Sequence, residues 1–337
     1  MRFLAIVLCC LAGGILPAMA SSCPGNPNAI GTSRTIAVDP SALPRIGSMQ
    51  YRATLPLNDH EVVITFDDGP LPPYTNRILD ILDANCVKAS YFLVGQMAHA
   101  YPSLVRRIFN DGHTIGTHSQ HHPFHFGDMG LPRIEREVDA GFASVRAAAG
   151  DPQAVAPFFR IPGLARSKQA ENYLASQSIA VWSADEVADD WFRSITPGQI
   201  VRRAFRRIEA KNHRGVLLLH DIHPATAMAL PALLEELKTH GYKIVQAVST
   251  GERPKSLPVP AEPAVAETDS WPRVTKASAT TATEEKATEK PVKVAALRHR
   301  KRVAHKELDG DITASLAAKK ASAKTAETGP GGLFFRR

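Results

Sequence analysis

The sequence has few cysteines and lacks long apolar runs. Only four of its 337 residues are cysteine and 7% are aromatic, while the apolar fraction of 44% is normal for a globular protein. The longest apolar run, residues 3–16, is short for a bilayer, and no other segment approaches the roughly 20 apolar residues of a spanning helix. These absences exclude a chain held in the membrane by several helices. The length predicts one large domain or two ordinary ones.

The first twenty residues have the features of a secretory signal peptide. Arg2 precedes the apolar run, and Ala18-Met19-Ala20 supplies the small residues of a cleavage site after Ala20. We therefore expect an exported protein, periplasmic or extracellular, without a transmembrane helix after cleavage. Lipidation at Cys23 is the less favoured alternative, because residues 20–22 lack the leucine usual three positions before a lipidated cysteine.

Cleavage would remove Cys9 and Cys10 and leave Cys23 and Cys86. Disulfides persist in the compartments that exported proteins reach. We therefore predict a Cys23–Cys86 bridge that fastens an N-terminal arm, residues 21–60, to the following domain. The alternative is that Cys86 is simply a small core residue.

Residues 251–337 consist mainly of alanine, lysine, glutamate, threonine and proline. Such a composition cannot bury enough apolar surface to offset its ordering entropy, so we expect a disordered tail. The tail carries 17 Lys and Arg against 11 Asp and Glu, which is nearly all of the formal charge of +7. It is predicted to be either a solvated spacer or a segment that binds an anionic cell-envelope surface, with residues 297–306 as the contact. Nucleic acid is not an expected partner of an exported protein.

Between residues 61 and 250, short β-rich runs alternate with amphipathic stretches. Repeated β-α units predict an α/β fold with a parallel sheet, either an open doubly wound layer or a closed barrel, with ligands at the carboxyl ends of the strands. The strand candidates are residues 62–66, 89–94, 114–117, 155–159, 179–182, 216–219 and 243–245. The helix candidates are residues 75–85, 98–110, 131–149, 168–177, 197–211 and 225–240.

The first of these strands, in VVITFDDGP, ends in two adjacent carboxylates, Asp67 and Asp68. Two like charges this close raise each other's pKa unless a cation or a fixed hydrogen-bond donor relieves them. Gly69 and Pro70 predict a turn that lets both side chains serve one site, although a regular strand would send them to opposite faces. A bound metal ion is the first candidate for the cation.

The segment GTHSQHH offers the other ligands. His118 and His122 are four residues apart, so that on a helical turn both imidazoles would lie on one face. With one aspartate they supply two nitrogens and one oxygen and leave a position open for water, which is the catalytic pattern for zinc. His121 in place of His122 is the alternative at this point. We expect His113 to be structural, and His121 and His125 to lie at the surface or the rim.

Three further polar clusters follow strand candidates. Arg160 in FFRIPG is suited to hold a carboxylate by a bidentate contact and keep it ionised. Asp189 and Asp190 stand beside Trp191 in ADDWF, a mixture of charge and aromatic surface that suits sugar binding. His220 in GVLLLHDIH has an ordinary pKa that suits a general acid. A salt bridge, a helix cap or a core histidine would explain each alone, but packing does not explain five clusters at strand ends.

These motifs together resemble those of the polysaccharide deacetylases, the NodB-homology group of carbohydrate esterase family 4. TFDDG is similar to the first motif, which implies that Asp67 is the general base and Asp68 a metal ligand. HSQHH is similar to the second, whose first and fifth positions imply His118 and His122 as metal ligands. RIPG resembles the third, which implies that Arg160 orients the base.

The fifth motif is matched and the fourth departs from the family pattern. LLLH looks like the fifth and implies that His220 is the general acid. In SADEVADDW, Val187 stands where the first aspartate of the fourth motif would fall. Asp190 matches the closing Asp-Trp pair of that motif, so the resemblance implies that Asp190 orients His220, with Asp185 in reserve.

The resemblance covers roughly residues 61–248 and implies a distorted (β/α)7 barrel, a number that agrees with the seven strand candidates. It also implies a divalent metal, expected to be zinc, and removal of N-acetyl groups from N-acetylglucosamine polymers such as chitooligosaccharide, peptidoglycan or exopolysaccharide. Pro70, Tyr74, Trp191 and Leu218 are expected to line the substrate site, with an oxyanion-binding backbone N–H near Pro70 or Tyr74. The alternatives are an O-acetyl esterase and a non-catalytic glycan-binding protein, and the sequence does not select one polymer.

Overall fold

The computed structural model describes residues 23–250. Its strands are β1 Thr32–Val38, β2 Arg45–Ile46, β3 Glu61–Asp67, β4 Ser90–Leu93, β5 Thr114–Thr117, β6 Val155–Arg160, β7 Ala180–Trp182, β8 Glu186–Val187, β9 Gly215–His220 and β10 Lys243–Ser249. Its α-helices are α1 Tyr74–Ala84, α2 Gly95–Ala100, α3 Pro102–Asn110, α4 Leu131–Ala149, α5 Lys168–Ser176, α6 Pro197–Ala210 and α7 Pro224–Thr239.

Seven parallel strands, β3 to β9, make the distorted barrel. β3 pairs with β4 on one side and with β9 on the other, and pairing continues from β4 to β7 and from β9 to β8. Between β7 and β8 the described strands do not pair, and β2 lies against β7 at this opening. Because every pair is parallel, the carboxyl ends of these strands meet at one rim.

The seventh barrel strand is not the one that the sequence indicated. β8 is only two residues long and shows no strand pattern, whereas the candidate at residues 243–245 is β10, which pairs with β1 and with the first two residues of β3. The predicted number of barrel strands is therefore correct, but one of the seven strands is a different segment of the chain. The other six strand candidates correspond to β3, β4, β5, β6, β7 and β9.

Alternating side chains of the sheet fill two hydrophobic layers. In β3, Val63 packs inside the barrel with Phe92, Phe158 and Trp182, all fully buried. Its neighbours in β3 face outward and pack against the helices. This alternation follows from the two-residue period of a strand, and burial on both faces explains why the barrel strands are continuously apolar.

The helix candidates agree with the structure within one or two residues, with one exception. Residues 98–110 were predicted as a single helix, but the chain forms α2 and α3, separated at Tyr101. Tyr101 precedes Pro102 and has φ −129° and ψ 58°. The proline ring disfavours helical backbone in the residue before it, which explains the break.

The N-terminal arm enters the sheet, since β1 pairs with β10 and β2 with β7. Cys23 and Cys86 form a disulfide with 1.99 Å between the sulfurs. Arg34 in β1 donates to Glu61 at the start of β3 through two contacts, Nε to Oε1 at 2.7 Å and Nη2 to Oε2 at 2.6 Å. Residues 32–46 are therefore part of the folded unit.

Two predicted segments, the signal peptide at residues 1–20 and the basic tail at residues 251–337, lie outside the described residues. Both stay predictions. Within residues 23–250, none of the helices has the length and apolar character needed to cross a bilayer.

Candidate metal and catalytic site

The two carboxylates that end β3 face the same site at the rim of the barrel. Asp67 is the last residue of β3, and Asp68 has a φ of +78° in the left-handed region. The turn therefore begins at Asp68 itself, one residue before the Gly-Pro pair. Both side chains are buried, at 2% and 5% exposure. His118 Nε2 lies 3.7 Å from Asp67 Oδ2 and 3.5 Å from Asp68 Oδ1, so the two carboxylates meet at one imidazole.

Arg160 reaches Asp67 by a single contact. Its Nη1 donates to Asp67 Oδ1 at 2.6 Å and to Thr65 Oγ1 at 2.9 Å, while Nη2 donates to the carbonyl of Ser183 at 2.9 Å. The expected bidentate geometry was therefore wrong, because the second terminal nitrogen is engaged elsewhere. The guanidinium is fully buried and stacks over Phe92, 4.2 Å from the ring centre. It leaves Asp67 Oδ2 directed to the site.

Asp68, His118 and His122 form the one group of candidate metal ligands among residues 23–250, with a ligand atom of each within 4.8 Å of the others. Asp68 Oδ1 lies 3.5 Å from His118 Nε2 and 3.3 Å from His122 Nε2. The helical turn expected for the two histidines was wrong. They lie in a loop after β5, in which Ser119 and His122 have φ of +68° and +52°.

The donor set fits a divalent metal. Asp68 Oδ1 is buried and accepts no hydrogen bond from the described residues, which is costly for a carboxylate oxygen unless a cation meets it. His118 donates through Nδ1 to the carbonyl of Arg160 at 2.6 Å, an outer contact typical of metal-bound histidine that leaves the Nε2 lone pair toward Asp68. Burial lowers the pKa of His118 to about 4, so the ring is neutral at pH 7, as ligation requires.

Glu137 in α4 holds the loop between the two candidate ligand histidines, and the sequence analysis did not identify it. Its Oε2 accepts the backbone N–H groups of Gln120 at 3.1 Å and His121 at 2.9 Å, and its Oε1 lies 2.9 Å from His121 Nδ1. Glu137 is 9% exposed. The contact also accounts for His121, which is bound to this carboxylate rather than directed to the metal ligands.

Two glycines, one in α2 and one in α4, let these helices pack closely against the same loop. Gly95 at the start of α2 donates to the carbonyl of Ser119 at 2.9 Å, and the next N–H donates to Gln120 O at 2.9 Å. A Cβ at Gly95 would lie 2.1 Å from Gln120 Oε1, and a Cβ at Gly141 would lie 2.8 Å from the carbonyl carbon of Ser119. The loop that carries the two candidate ligand histidines is therefore held from both sides.

Buried Asp190 and partly buried His220 form a second pair beside the candidate metal ligands. Asp190 Oδ1 lies 2.8 Å from His220 Nδ1, and Oδ2 accepts the His220 backbone N–H and the Thr226 hydroxyl, each at 2.7 Å. His220 Nε2 faces Asp68 Oδ2 at 4.0 Å. Burial would lower the pKa of His220, but the charge and hydrogen bond of Asp190, together with the nearby carboxylates, raise it to about 10.

Asp185, the reserve candidate, makes different contacts. Its Oδ1 accepts the Ser48 N–H at 2.6 Å, and its Oδ2 accepts from Thr54 Oγ1 at 2.6 Å and from Val216 N at 2.8 Å. It fastens the N-terminal arm to β9. Asp189 forms ion pairs with two arginines of α6. Of the three aspartates in this segment, only Asp190 contacts His220.

His113 and His125, the other histidines considered in the sequence analysis, lie outside the group of candidate ligands. His113 is buried and its Nδ1 accepts the backbone N–H of Ala89 at 3.1 Å, a structural contact as expected. His125 is exposed and precedes the 3₁₀ turn Phe126–Asp128. Neither comes to the metal ligands.

The residues expected to line the substrate site differ in exposure. Trp191 is 41% exposed, and its ring centre lies 5.6 Å from that of His220. Leu218 is buried and shares a face of β9 with His220. Pro70 is buried, and Tyr74 is half-buried against the outer hydrophobic layer. Phe124, which the sequence analysis passed over, is 63% exposed, with its ring centre 6.0 Å from that of His122.

Comparison with known proteins supplies the family. The model of the family described as polysaccharide deacetylase matches residues 55–182. A Bacillus cereus peptidoglycan-N-acetylglucosamine deacetylase is 30% identical over 200 residues, which are 57% of this chain and 88% of the relative. A second one from B. cereus is 31% identical over 53% of this chain and 66% of the relative. The deacetylase PgdA of Listeria monocytogenes is 31% identical over 55% of this chain and only 37% of its own length.

Solved structures agree with this relationship. A peptidoglycan deacetylase of Bdellovibrio bacteriovorus superposes with a TM-score of 0.59 and 30% identity, over 68% of this chain and 62% of that one. A carbohydrate esterase family 4 pseudoenzyme of Bacillus anthracis, 23% identical, shares the fold with a TM-score of 0.50 over 59% of this chain and 66% of that one. The relative that is 30% identical and covered over 88% of its length shows, in agreement with the matched family model, that this chain belongs to the polysaccharide deacetylase family.

Proposed function

We propose that this protein is a metal-dependent hydrolase that removes N-acetyl groups from N-acetylglucosamine-containing polysaccharide and releases acetate. The observation that carries the proposal is the placement of two charged pairs around one candidate metal site. Asp67 with Arg160 lies beside Asp68 and His118, and His220 with Asp190 faces Asp68 within 4.0 Å. A base and an acid on either side of one reacting carbon are what hydrolysis of an amide needs.

The metal is proposed to be zinc, held by Asp68, His118 and His122. Two imidazole nitrogens and one carboxylate oxygen with an open position suit catalytic zinc, although cobalt or nickel would accept the same donors. A bound divalent ion would polarise the amide carbonyl and acidify the attacking water. Asp68 is assigned to the metal rather than to proton transfer because its Oδ1 faces both imidazoles and accepts no hydrogen bond from the described residues.

Asp67 is proposed as the general base. Its Oδ1 accepts a charge-assisted hydrogen bond from the Arg160 guanidinium at 2.6 Å. Its Oδ2 is directed to His118 Nε2, the side where the ligands converge. One oxygen is therefore fixed and the other is placed to take the proton of the water.

His220 is proposed to protonate the leaving nitrogen. Asp190 accepts the Nδ1 proton, so that Nε2 is the nitrogen that faces the site and can donate. With a pKa of about 10, raised by Asp190 against the effect of burial, the imidazolium persists at neutral pH. An amide needs this step because an unprotonated amide nitrogen is a very poor leaving group.

The oxyanion contact is proposed at Tyr74. Pro70 has no N–H, and the N–H of Leu71 already donates to Thr75 Oγ1 at 2.8 Å. Tyr74 begins α1, where the first N–H groups have no partner inside the helix. A single such hydrogen-bond donor typically stabilises the transition state by about 3 kcal/mol.

An O-acetyl esterase and a glycan-binding protein are the competing functions. The same site would serve an ester, but an alkoxide leaves more readily and depends less on a strong acid, so the Asp190–His220 pair favours an amide substrate. A non-catalytic binder has no need of the base, the acid and the three metal ligands together. Relatives named as peptidoglycan-N-acetylglucosamine deacetylases favour peptidoglycan as the polymer.

Export to the periplasm or the cell exterior is proposed as the location. The signal-like residues 1–20 and the Cys23–Cys86 disulfide support it, since disulfides persist in oxidising compartments. An exported protein would reach the acetylated polymers of the cell envelope.

The deciding experiment is acetate release from peptidoglycan and from N-acetylglucosamine oligomers by the zinc-loaded protein. We expect release that chelation abolishes and added zinc restores, and that Asp67→Asn reduces by about 10² to 10⁴. Full activity of Asp67→Asn together with no effect of chelator would refute the proposed function.

A further inference from the structure

Phe124 is the most exposed large apolar side chain among residues 23–250, at 63% exposure. It follows the metal-ligand histidine His122 by two residues, and the two rings meet edge to face at 87° with 6.0 Å between centres. A single exposed phenylalanine is not unusual by itself, but its position beside a candidate metal ligand places its ring where a ligand of the site would make contact. The packing of the described residues does not account for this ring.

A second exposed aromatic lies on the acid side of the site. Trp191 is 41% exposed and meets His220 edge to face at 5.6 Å. The two oxygens of Asp68 face different histidines. Oδ1 lies 3.3 Å from His122 Nε2, and Oδ2 lies 4.0 Å from His220 Nε2. One exposed ring therefore stands next to the metal ligand and another next to the acid, with the reacting centre between them.

We propose that Phe124 is the stacking platform of a glycan subsite on the His122 side of the reacting centre. The inference rests on the proposed deacetylase function and adds to it a residue that would bind a sugar beyond the reacting one. The face of an aromatic ring is negative and packs well against the axial C–H groups of a pyranose. Phe124 has no polar atom, so the subsite accepts a sugar through its ring face and does not distinguish acetylated from free amino sugars.

The test compares substrates of different length. Phe124→Ala, Phe124→Trp and the control Leu131→Ala, another exposed apolar residue at 39% exposure, are made in the full zinc-loaded chain. Acetate release is measured on N-acetylglucosamine oligomers of one to five sugars. We expect Phe124→Ala to lower kcat/KM about tenfold on the longest oligomer, mainly through KM, and less than about twofold on the shortest. Phe124→Trp restores the loss, and Leu131→Ala has no effect that depends on length.

Two measurements separate the subsite from other roles. If Phe124→Ala reduces activity equally on all lengths, or lowers the affinity for zinc measured by competition with a chelating dye, Phe124 shapes His122 and the subsite is refuted. No loss on any length also refutes it. Binding of the oligomers is followed by Trp fluorescence or calorimetry with the same variants. Length-dependent binding that is weakened by Phe124→Ala, in a protein that releases no acetate, would sustain the subsite and refute only the proposed function.

Discussion

Replacing Asp190 by asparagine should remove the acid without changing the shape of the site. Asp190 Oδ2 accepts two donors, the His220 backbone N–H and the Thr226 hydroxyl, whereas Oδ1 faces only His220 Nδ1. The two donors would hold the asparagine oxygen at the Oδ2 position and leave its NH₂ opposite Nδ1. Because an NH₂ group donates, the ring would accept at Nδ1 and become neutral with its proton on Nε2. A neutral imidazole is a far weaker acid than the imidazolium.

The magnitude follows from the role assigned to the pair. General acid catalysis contributes about 10² to 10⁴ in rate, or roughly 3 to 5 kcal/mol of activation free energy. We expect Asp190→Asn to lose this amount on an N-acetylglucosamine oligomer. On 4-nitrophenyl acetate, whose leaving group needs no proton, the loss should stay below about tenfold. The assay measures kcat on both substrates with the same zinc-loaded preparation.

Asp185→Asn is the matched control, because Asp185 is an equally buried carboxylate of the same segment that contacts Ser48, Thr54 and Val216 instead of His220. This variant should lower the melting temperature and leave the ratio of amide to ester rates unchanged. The reasoning fails if Asp190→Asn lowers both rates by the same factor, or if it lowers neither.

Three other predictions concern the metal, its loop and the arm. Chelation should lower the melting temperature, and added zinc should restore it, because Asp68 Oδ1 would otherwise stay buried without a partner; an unchanged melting temperature on chelation would contradict the metal assignment. Glu137→Ala should weaken zinc binding about 10- to 100-fold in dye competition, whereas Glu135→Ala, two residues earlier in α4, should not; equal affinities would show that the loop needs no such support. Hydrogen bonding to Arg34 lowers the pKa of Glu61 to about 2, so Glu61→Gln should cost about 1 to 3 kcal/mol at pH 7, a difference that disappears as the pH falls from about 4.5 towards 2; urea unfolding at several pH values checks it, and a pH-independent difference would refute the linkage.

The continuous patterns in the sequence predicted the main elements. The run 62–66 is the centre of β3, which is buried along its whole length, and the helix predicted for residues 131–149 has the bounds that the structure shows. Both elements are long enough for the hydrophobic pattern in the sequence to match the burial in the structure. β2 and β8 have two residues each, and a pattern of period two cannot be seen in two residues.

The site was predicted where chemistry is concentrated in short motifs and was missed where contacts come from distant segments. Spacing could not separate Asp185 from Asp190, because both follow β7 and both are buried; only the folded chain shows which one faces His220. Glu137 reads as one polar residue of an amphipathic helix, and nothing in the sequence connects it with a loop 16 residues earlier. Phe124 gave no signal, since a single phenylalanine is ordinarily part of the core.

The pairing of β1 with β10 determines when this chain can fold. Thr32 pairs with Ile244 and Val38 with Ser249, so the first strand of residues 23–250 must wait for the last one, with more than two hundred residues synthesised between them. Contacts so distant in sequence slow folding and leave unfinished sheet edges exposed meanwhile. A sheet that is completed only when β10 has been synthesised leaves the chain unfolded for longer, which is compatible with the export proposed above.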